Sequence, residues 1–299
     1  FSEGLKSKSK HCSTKMHPDW QVVPQFEGAS SEEIHVPAAD GVTVRVLRWT
    51  PLDAVAAQSR TLVMIPGWNS VIEGWLPILS EWVKQRPIIS IETREKDSCV
   101  IDGEIDKSTF SMPNLYGDIC LALRNLGIDS TKCDAFGSSL GATLLLEGLR
   151  DGALEFRSLT VLSPNLAFPA PLWAKIMMPS PVFVYAPLIR FVIWYLDKRL
   201  EEEGQRIRYR RTLLAAHIPR LRLCTLVFSK FKMDLDFTEI MLPIGILRAS
   251  SDTLHDHGDA GVLDAALPNS TLIEIESNQF AHEPEAIPLI EAFQSSIIS

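Results

Sequence analysis

The stretch Gly137-Ser138-Ser139-Leu140-Gly141 is the most informative part of the sequence. It follows a short apolar run at residues 133–136 and precedes a helical pattern at residues 140–149. A serine on a sharp strand-to-helix turn takes strained backbone angles, so the positions around it must lack side-chain bulk, as Gly137 and Gly141 do. The pattern therefore predicts a turn that exposes the Ser139 hydroxyl at the carboxyl end of a strand.

Ser139 has an alternative interpretation, because the bare G-x-S-x-G pattern also arises by chance. A turn that carries an idle serine would show the same letters. The strand–turn–helix context favours a nucleophile, with the side chain of Ser138 turned away from the site. In that context the N–H of Leu140, at the start of the helix, points to the place where an oxyanion would form.

Strand-like and helix-like runs alternate on both sides of this turn. Short apolar runs typical of buried strands cover residues 61–65, 87–91, 133–136, 158–162, 244–248 and 271–275. Helical spacing covers residues 75–85, 112–126, 140–149 and 286–298. Residues 33–36 and 42–49 flank Asp40-Gly41 and predict a hairpin. The alternation predicts an α/β fold with a mostly parallel, doubly wound sheet and helices on both faces.

One segment, residues 167–239, interrupts the alternation. It is helix-like and punctuated by proline, without a convincing buried strand, so it is predicted to be an inserted helical cap. It is also basic, with ten Lys or Arg residues against three Glu between positions 198 and 232. The apolar stretch at residues 177–196 is broken by three prolines and Arg190, so we expect amphipathic helices there and no membrane span.

Composition restricts the class of protein. A formal net charge of −8 argues against general nucleic-acid binding, because phosphate contacts require a basic surface. The five cysteines form no C-x-x-C pair, which disfavours a disulfide framework or a zinc knuckle and favours a reducing, cytoplasmic compartment. Residues 1–30 are expected to form a flexible tail and residues 31–299 one folded domain. The sequence begins at Phe1 without Met, which leaves room for a leader or an anchor before it.

Around Ser139 the sequence resembles the α/β-hydrolase superfamily, and the resemblance extends from about residue 33 to the end. It implies the chain order nucleophile, acid and histidine, with a cap between the sixth and seventh strands of the sheet. The implied acid is Asp252, which follows the strand predicted at residues 244–248. The implied base is His282, between the last strand and the last helix.

The same resemblance implies an oxyanion site and no cofactor or metal. The segment Ile65-Pro66-Gly67-Trp68-Asn69 ends the strand at residues 61–65. The family often has His-Gly there, whereas this sequence has Pro66-Gly67. The difference is tolerable because the donor is a backbone N–H, here that of Trp68, which acts together with the N–H of Leu140.

The acid has rival assignments. Asp256 is the alternative acid, because it lies in the same polar loop as Asp252. This loop also fits a metal site through its H-x-H pattern and nearby carboxylates, or simply a solvated loop. The ionisable residues of the loop are Asp252, His255, Asp256, His257 and Asp259.

The base also has rivals. In the family a Gly-His pair usually stands closer to the last strand, but positions 277 and 278 are Ser and Asn. The alternative interpretation of His282 is a surface histidine that caps the last helix. His217 and His255 are weaker candidate bases, because neither follows the last strand.

Together these residues predict a serine hydrolase that cleaves small-molecule carboxylic esters through an acyl-enzyme. Apolar side chains of the 167–239 segment favour a lipophilic acyl group, or else only pack this segment onto the core. They are Phe168, Leu172, Trp173, Met177, Met178, Phe183, Phe191 and Trp194. The basic residues suit contact with an acidic membrane surface. Acyl transfer, C–C bond hydrolysis and a non-catalytic binding role on the same fold stay open, as does the oligomeric state.

Overall fold

A nine-stranded sheet forms the centre of the computed structural model, which describes residues 16–200, 202–249 and 257–297. The strands are β1 (Ala29–Pro37), β2 (Val42–Pro51), β3 (Leu62–Ile65), β4 (Ile88–Ile91), β5 (Val100–Ile101), β6 (Asp134–Ser138), β7 (Ser158–Leu162), β8 (Ile244–Ala249) and β9 (Ser270–Ile275). They lie in the order β1-β2-β4-β3-β6-β7-β8-β9, with β5 beside β2. Neighbouring pairs from β4 to β9 are parallel, whereas every pair that includes β2 is antiparallel.

Helices accompany the strands along the chain. They are α1 (Leu76–Trp82), α2 (Met112–Asn125), α3 (Leu140–Arg150), α4 (Leu172–Met177), α5 (Val182–Arg199), α6 (Glu203–Ala215), α7 (Ile218–Phe228), α8 (His257–Ala266) and α9 (Ile287–Ser296). The predicted α/β fold, with a mostly parallel and doubly wound sheet, is therefore confirmed. Helix α8 was not predicted, because its short polar start resembles a loop.

Strand β3 shows why the sheet needs helices on both of its faces. All four of its side chains are buried, and alternate residues of a strand point to opposite faces. Val63 and Ile65 belong to one apolar cluster, which also contains side chains of α2 and α3. Leu62 and Met64 belong to a second cluster, which contains side chains of α1 and α9. A strand that is apolar on both sides is stable only between two layers of helices.

The first hairpin has the predicted turn. Asp40 and Gly41 have positive φ angles of 59° and 71°, and they join β1 to β2. Two consecutive residues with positive φ give a turn whose twist matches that of the flanking strands. The Asp-Gly pair at this position is therefore explained by the backbone that it must adopt.

The predicted flexible tail of residues 1–30 is too long. Trp20 is only 1% exposed, and its indole N–H donates to the carbonyl oxygen of Ala215 at 2.7 Å. Strand β1 already begins at Ala29. Polar composition suggested a tail, but one large aromatic side chain buries enough apolar surface to fix the chain around it. Residues 1–15 lie outside the described residues.

The 167–239 segment contains α4 to α7, and its two ends meet where Ala167 and Lys232 form an isolated antiparallel bridge. Part of its basic charge is buried. Arg220 of α7 donates to the carbonyl oxygens of Arg94, at 3.2 Å, and of Lys96. This arginine therefore anchors the insertion to the loop after β4. In the ranges that the structure describes, every helix is too short or too polar to traverse a lipid bilayer.

A buried carboxylate at the amino-terminal end of β6 is the centre of an ionic network. Asp134, the first residue of β6, accepts hydrogen bonds from Arg86 at 2.5 Å and from Arg157 at 2.8 Å. Arg157 also donates to the carbonyl oxygens of Gln294 and Ile297, at the end of α9. Because a buried charge requires such partners, this network joins the last helix to the central strands.

Candidate active site

Ser139 lies on the predicted sharp turn. It follows β6, precedes α3, and has φ 50° and ψ −119°, a conformation that a non-glycine residue rarely adopts. Its backbone N–H donates to the carbonyl oxygen of Leu162, at the end of β7, at 2.8 Å. Ser138 is buried at the end of β6, whereas Ser139 is partly accessible. The turn therefore presents Ser139, and not Ser138, at the carboxyl edge of the sheet.

The two glycines of the motif are required by close packing. A Cβ atom at Gly137 would lie 2.7 Å from the Cα of Ala142. A Cβ atom at Gly141 would overlap the backbone carbonyl of Ile65, the last residue of β3. Both positions therefore exclude any side chain, as the motif predicts, and the start of α3 rests directly on the end of β3.

The loop after β3 reaches Ser139. A Cβ atom at Gly67 would lie 3.3 Å from the Cβ of Ser139 and 3.8 Å from its Oγ. The next residue is Trp68, whose N–H is one predicted oxyanion donor. The other donor residue, Leu140, is the first residue of α3, where a backbone N–H has no acceptor within the helix. The structure thus brings Ser139 together with the segments that carry both predicted donors.

Backbone strain is concentrated at this edge of the sheet. Besides Ser139, Asn69 after β3 and Ser163 after β7 have positive φ angles, of 49° and 47°. Strands β3, β6 and β7 are neighbours, so the three strained residues follow adjacent strand ends. Strained residues cluster where a site needs a fixed geometry, and they persist only because the surrounding structure holds them.

Asn165 is a site residue that the sequence did not reveal. Its side-chain amide donates to the Oγ of Ser139 at 2.9 Å. Its backbone N–H donates to the hydroxyl of Thr143 on α3 at 2.9 Å, which fixes Asn165 beside Ser139. The Oγ accepts this bond, so the hydroxyl proton of Ser139 remains available to a base. No sequence pattern marks an asparagine three residues after a strand as such a donor.

His282 is buried against the end of the loop after β3. It lies in the short 3-10 turn Phe280–His282, and its Nδ1 is 3.0 Å from the carbonyl oxygen of Gly74. Its ring stacks on Trp75, with 3.8 Å between the ring centres. His282 is therefore not the surface histidine of the alternative interpretation. Among the hydrogen bonds of the described residues, however, none joins His282 to Ser139.

The Gly74 contact determines the tautomer of His282. A carbonyl oxygen only accepts hydrogen bonds, so Nδ1 must carry the proton, and Nε2 has the free lone pair. Burial and, to a smaller extent, the positive charge of Arg208 hold the pKa of His282 well below its ordinary value, although the Gly74 contact acts in the opposite direction. The imidazole is therefore neutral at pH 7, which is the form that a general base needs.

Helix α6 holds the loop that carries His282. Arg208 donates to the side-chain oxygen of Asn278 at 2.7 Å and to the side-chain oxygen of Gln279. Glu202, just before the helix, accepts from the backbone N–H of Gln279 at 2.8 Å. The insertion therefore contacts the histidine loop directly, and Arg208 is a second residue whose role near the site the sequence did not reveal.

Asp252 and the alternative Asp256 lie outside the described residues, as does His255, so the acid assignment stays a prediction. His217 caps the start of α7, where its Nδ1 accepts from the N–H of Arg220 at 3.4 Å. For the loop metal site, only His257 and Asp259 fall in the described part of the chain, in the first turn of α8. No group of three metal-binding side chains occurs in that part.

An aromatic cluster links the loop after β3 to the insertion. The ring of Trp68 packs edge-on against Phe228 of α7, with 5.1 Å between ring centres. Phe168 stacks on Phe228 at 5.1 Å and contacts Phe231 at 5.8 Å. The insertion thus provides an apolar surface beside the residue whose N–H is a predicted oxyanion donor.

No family model matches the sequence, and no curated protein matches it significantly. Solved structures do resemble it. One is a thermophilic esterase from Thermogutta terrifontis, with 15% identity and a TM-score of 0.69 over 90% of this chain and 99% of the esterase. An alpha/beta hydrolase from Sphaerobacter thermophilus is 16% identical, with a TM-score of 0.66 over 88% of this chain and 99% of the hydrolase. The enol-lactonase from Burkholderia xenovorans is 12% identical, with a TM-score of 0.66 over 89% and 97%. At such identities the likeness concerns the fold alone.

We predict that Gly141→Ala lowers the free energy of unfolding by about 1–3 kcal/mol or more, because the added Cβ would displace the carbonyl of Ile65. The measurement is urea unfolding followed by circular dichroism. Gly117→Ala is the matched control, since it lies within α2 and nothing approaches its Cβ position within 4 Å. It should stabilise the protein by about 0.5–1 kcal/mol. Equal unfolding midpoints for the two variants would contradict the close approach of α3 to β3.

We also predict a pH-dependent contribution of His282 to stability. Its pKa is lowered in the folded protein, so below pH 6.5 the unfolded chain binds a proton that the folded protein does not. Stability should therefore decrease as the pH is lowered below 6.5, and this group contributes at most about 1.4 kcal/mol per pH unit. Urea unfolding of the wild type and of His282→Gln between pH 8 and pH 5 measures the effect.

At pH 8 the difference between the two proteins isolates the packing lost in His282→Gln. As the pH is lowered, the wild type should lose more stability than the variant, so that the difference shrinks. Parallel curves for the two proteins would show that His282 is protonated equally in the folded and unfolded states.

Proposed function

We propose that this chain, which has the α/β-hydrolase fold, is a serine hydrolase that cleaves carboxylic esters through an acyl-enzyme. The observation that carries the proposal is the strained Ser139 turn with the Gly67 loop packed against it. Backbone strain of this kind persists only where the surrounding structure holds it, and a nucleophile gains from a hydroxyl that is held in place and accessible. The neighbouring N–H groups of Trp68 and Leu140 add the electrostatic stabilisation that acyl transfer requires.

The proposed reaction gives each of these groups one role. Nε2 of His282 accepts the Ser139 proton, and the serine oxygen attacks the ester carbonyl carbon. The Trp68 and Leu140 N–H groups stabilise the oxyanion, and the alcohol leaves with the proton from His282. A water molecule then gives a proton to His282 and attacks the acyl-enzyme, and His282 returns this proton to the Ser139 oxygen as the acid is released. Asp252 is the proposed partner that stabilises the positively charged imidazole. The transfer requires that Ser139 and His282 approach each other, as catalytic pairs often do when substrate binds.

Asn165 is the proposed third donor near the reacting oxygen. Its amide N–H already donates to the Ser139 Oγ at 2.9 Å. A donor at this distance stabilises the negative charge that develops on the serine oxygen as its proton leaves. It would thus lower the cost of activating the nucleophile without taking part in proton transfer.

Acyl transfer and C–C bond hydrolysis would use the same residues, and product analysis separates them from ester hydrolysis. A second candidate from another class is a binding protein without catalytic activity. It is favoured by one observation, which is that Ser139 is bonded to Asn165 while His282 is bonded to Gly74. In that case the site would hold a small carbonyl compound without cleaving it.

A lipophilic acyl group is the proposed specificity. The cluster of Trp68, Phe168, Phe228 and Phe231 supports it, because it places aromatic rings beside an oxyanion donor. Of the apolar residues that the sequence suggested for this role, only Phe168 belongs to this cluster. The others include Leu172, Phe183, Phe191 and Trp194, whose side chains are exposed and therefore unsuited to line a buried acyl site.

We predict that a fluorophosphonate probe labels the protein at Ser139. Labelling should disappear in Ser139→Ala and remain in Ser138→Ala, because Ser138 is buried in β6. Mass spectrometry of the labelled peptide locates the adduct. His282→Gln should lower both labelling and ester hydrolysis, by about 10²–10⁴-fold.

The outcomes separate the two candidates. Equal labelling of wild type and Ser139→Ala would remove Ser139 as the nucleophile. Labelling that does not depend on His282, together with no turnover of any ester, would support the binding protein instead.

We predict that hydrolysis of p-nitrophenyl esters becomes more efficient as the acyl chain lengthens from acetate to octanoate. Phe168→Ala should lower kcat/KM for the long esters by about tenfold or more and leave that for acetate nearly unchanged. Phe26→Ala is the matched control, since Phe26 packs on Trp49 and not on Trp68. A strict preference for acetate in the wild type would contradict a lipophilic acyl site.

A further inference from the structure

Helix α5 carries a stripe of exposed apolar side chains. Phe183, Phe191 and Trp194 are between 46% and 79% exposed. With Pro187 between them, their spacing of three, four or eight residues places them on one face of the helix. Large aromatic side chains are rarely left in water in such a row, so this stripe requires an explanation.

The opposite face of α5 is packed inside the protein. Tyr185 and Ile189 are buried, and they form a cluster with Leu221 of α7. Trp68 packs against the same cluster. The helix therefore separates an inner side, which adjoins the candidate active site, from an outer apolar side.

Helix α4 extends the outer surface. Leu172 and Ile176 are 75% and 65% exposed. Trp173 of α4 packs edge-on against Phe191 of α5, with 5.3 Å between ring centres. The two helices thus form one continuous surface, which we call the α4–α5 face and define by Leu172, Ile176, Phe183, Phe191 and Trp194.

Basic side chains accompany these apolar residues. Lys175, Arg190 and Lys198 are exposed on the same two helices. The one acidic residue between positions 172 and 200 is Asp197, which pairs with Arg210. The segment is therefore basic in a chain whose formal net charge is −8. Apolar side chains flanked by lysine and arginine are typical of helices that lie in the headgroup region of anionic membranes.

We infer that the α4–α5 face docks on the surface of an anionic lipid bilayer. The apolar side chains would enter the boundary between headgroups and acyl chains, while the basic side chains contact the lipid phosphates. A second copy of the chain is a less suitable occupant, because it would bring the same positive charge against this face. Docking in this way would bring the inner side of α5, and with it Trp68, close to the lipid.

The test is sedimentation of the full chain with vesicles. The protein should bind vesicles of phosphatidylcholine and phosphatidylserine, and bind pure phosphatidylcholine vesicles much less. The double variant Phe183→Ser/Trp194→Ser should bind at least about tenfold more weakly. Each of Arg190→Glu and Lys198→Glu should weaken binding by about fivefold or more, and added salt should do the same for the wild type.

Leu52→Ser/Val55→Ser is the matched control, because Leu52 and Val55 are exposed apolar residues that follow β2 and belong to neither α4 nor α5. It should bind vesicles like the wild type. Ser139→Ala should also bind like the wild type, since docking does not rest on the chemistry proposed for Ser139. Absence of binding to the anionic vesicles, or equal binding by the Phe183→Ser/Trp194→Ser variant, would overturn the inference. So would a wild-type dimer in solution that this variant converts to a monomer.

Discussion

The direct contact between Gly141 and the carbonyl of Ile65 is the constraint on which the site depends. It brings the start of α3 onto the end of β3, and so it brings the loop after β3 onto Ser139. The neighbouring contact of Gly67 with Ser139 follows from the same approach. Any side chain at position 141 would separate the start of α3 from the end of β3, and Ser139 would lose both its strained turn and the neighbouring backbone N–H groups.

The loop after β3 also connects Ser139 to His282. Gly67, at its start, lies against Ser139, and Gly74, near its end, accepts the hydrogen bond of His282. One segment of the backbone therefore contacts the partly accessible Ser139 and sets the tautomer of His282. The strained Asn69 lies between these two contacts. A small change in this loop would alter the distance between Ser139 and His282, on which the proposed proton transfer depends.

The parts of the fold that depend on local pattern could be predicted from the sequence. The buried strands, the Asp40-Gly41 turn and the Ser139 turn each follow from residues close together in the chain. The Asn165 contact could not, because it depends on how the end of β7 aligns with Thr143 of α3. Chain order identifies His282 as a candidate. Its Nδ1 partner is the backbone carbonyl of Gly74, and a backbone acceptor cannot be recognised from residue types alone.

The insertion between β7 and β8 contacts both halves of the candidate site. Phe228 packs on Trp68 beside Ser139, and Arg208 holds Asn278 beside His282. Both contacts come from one inserted segment. A movement of the insertion would therefore shift the loop after β3 and the loop that carries His282 together. The buried Arg220 opposes such a movement by binding the loop after β4. The insertion is thus part of the scaffold that sets the distance between Ser139 and His282, and a surface on which it docks would act on that same distance.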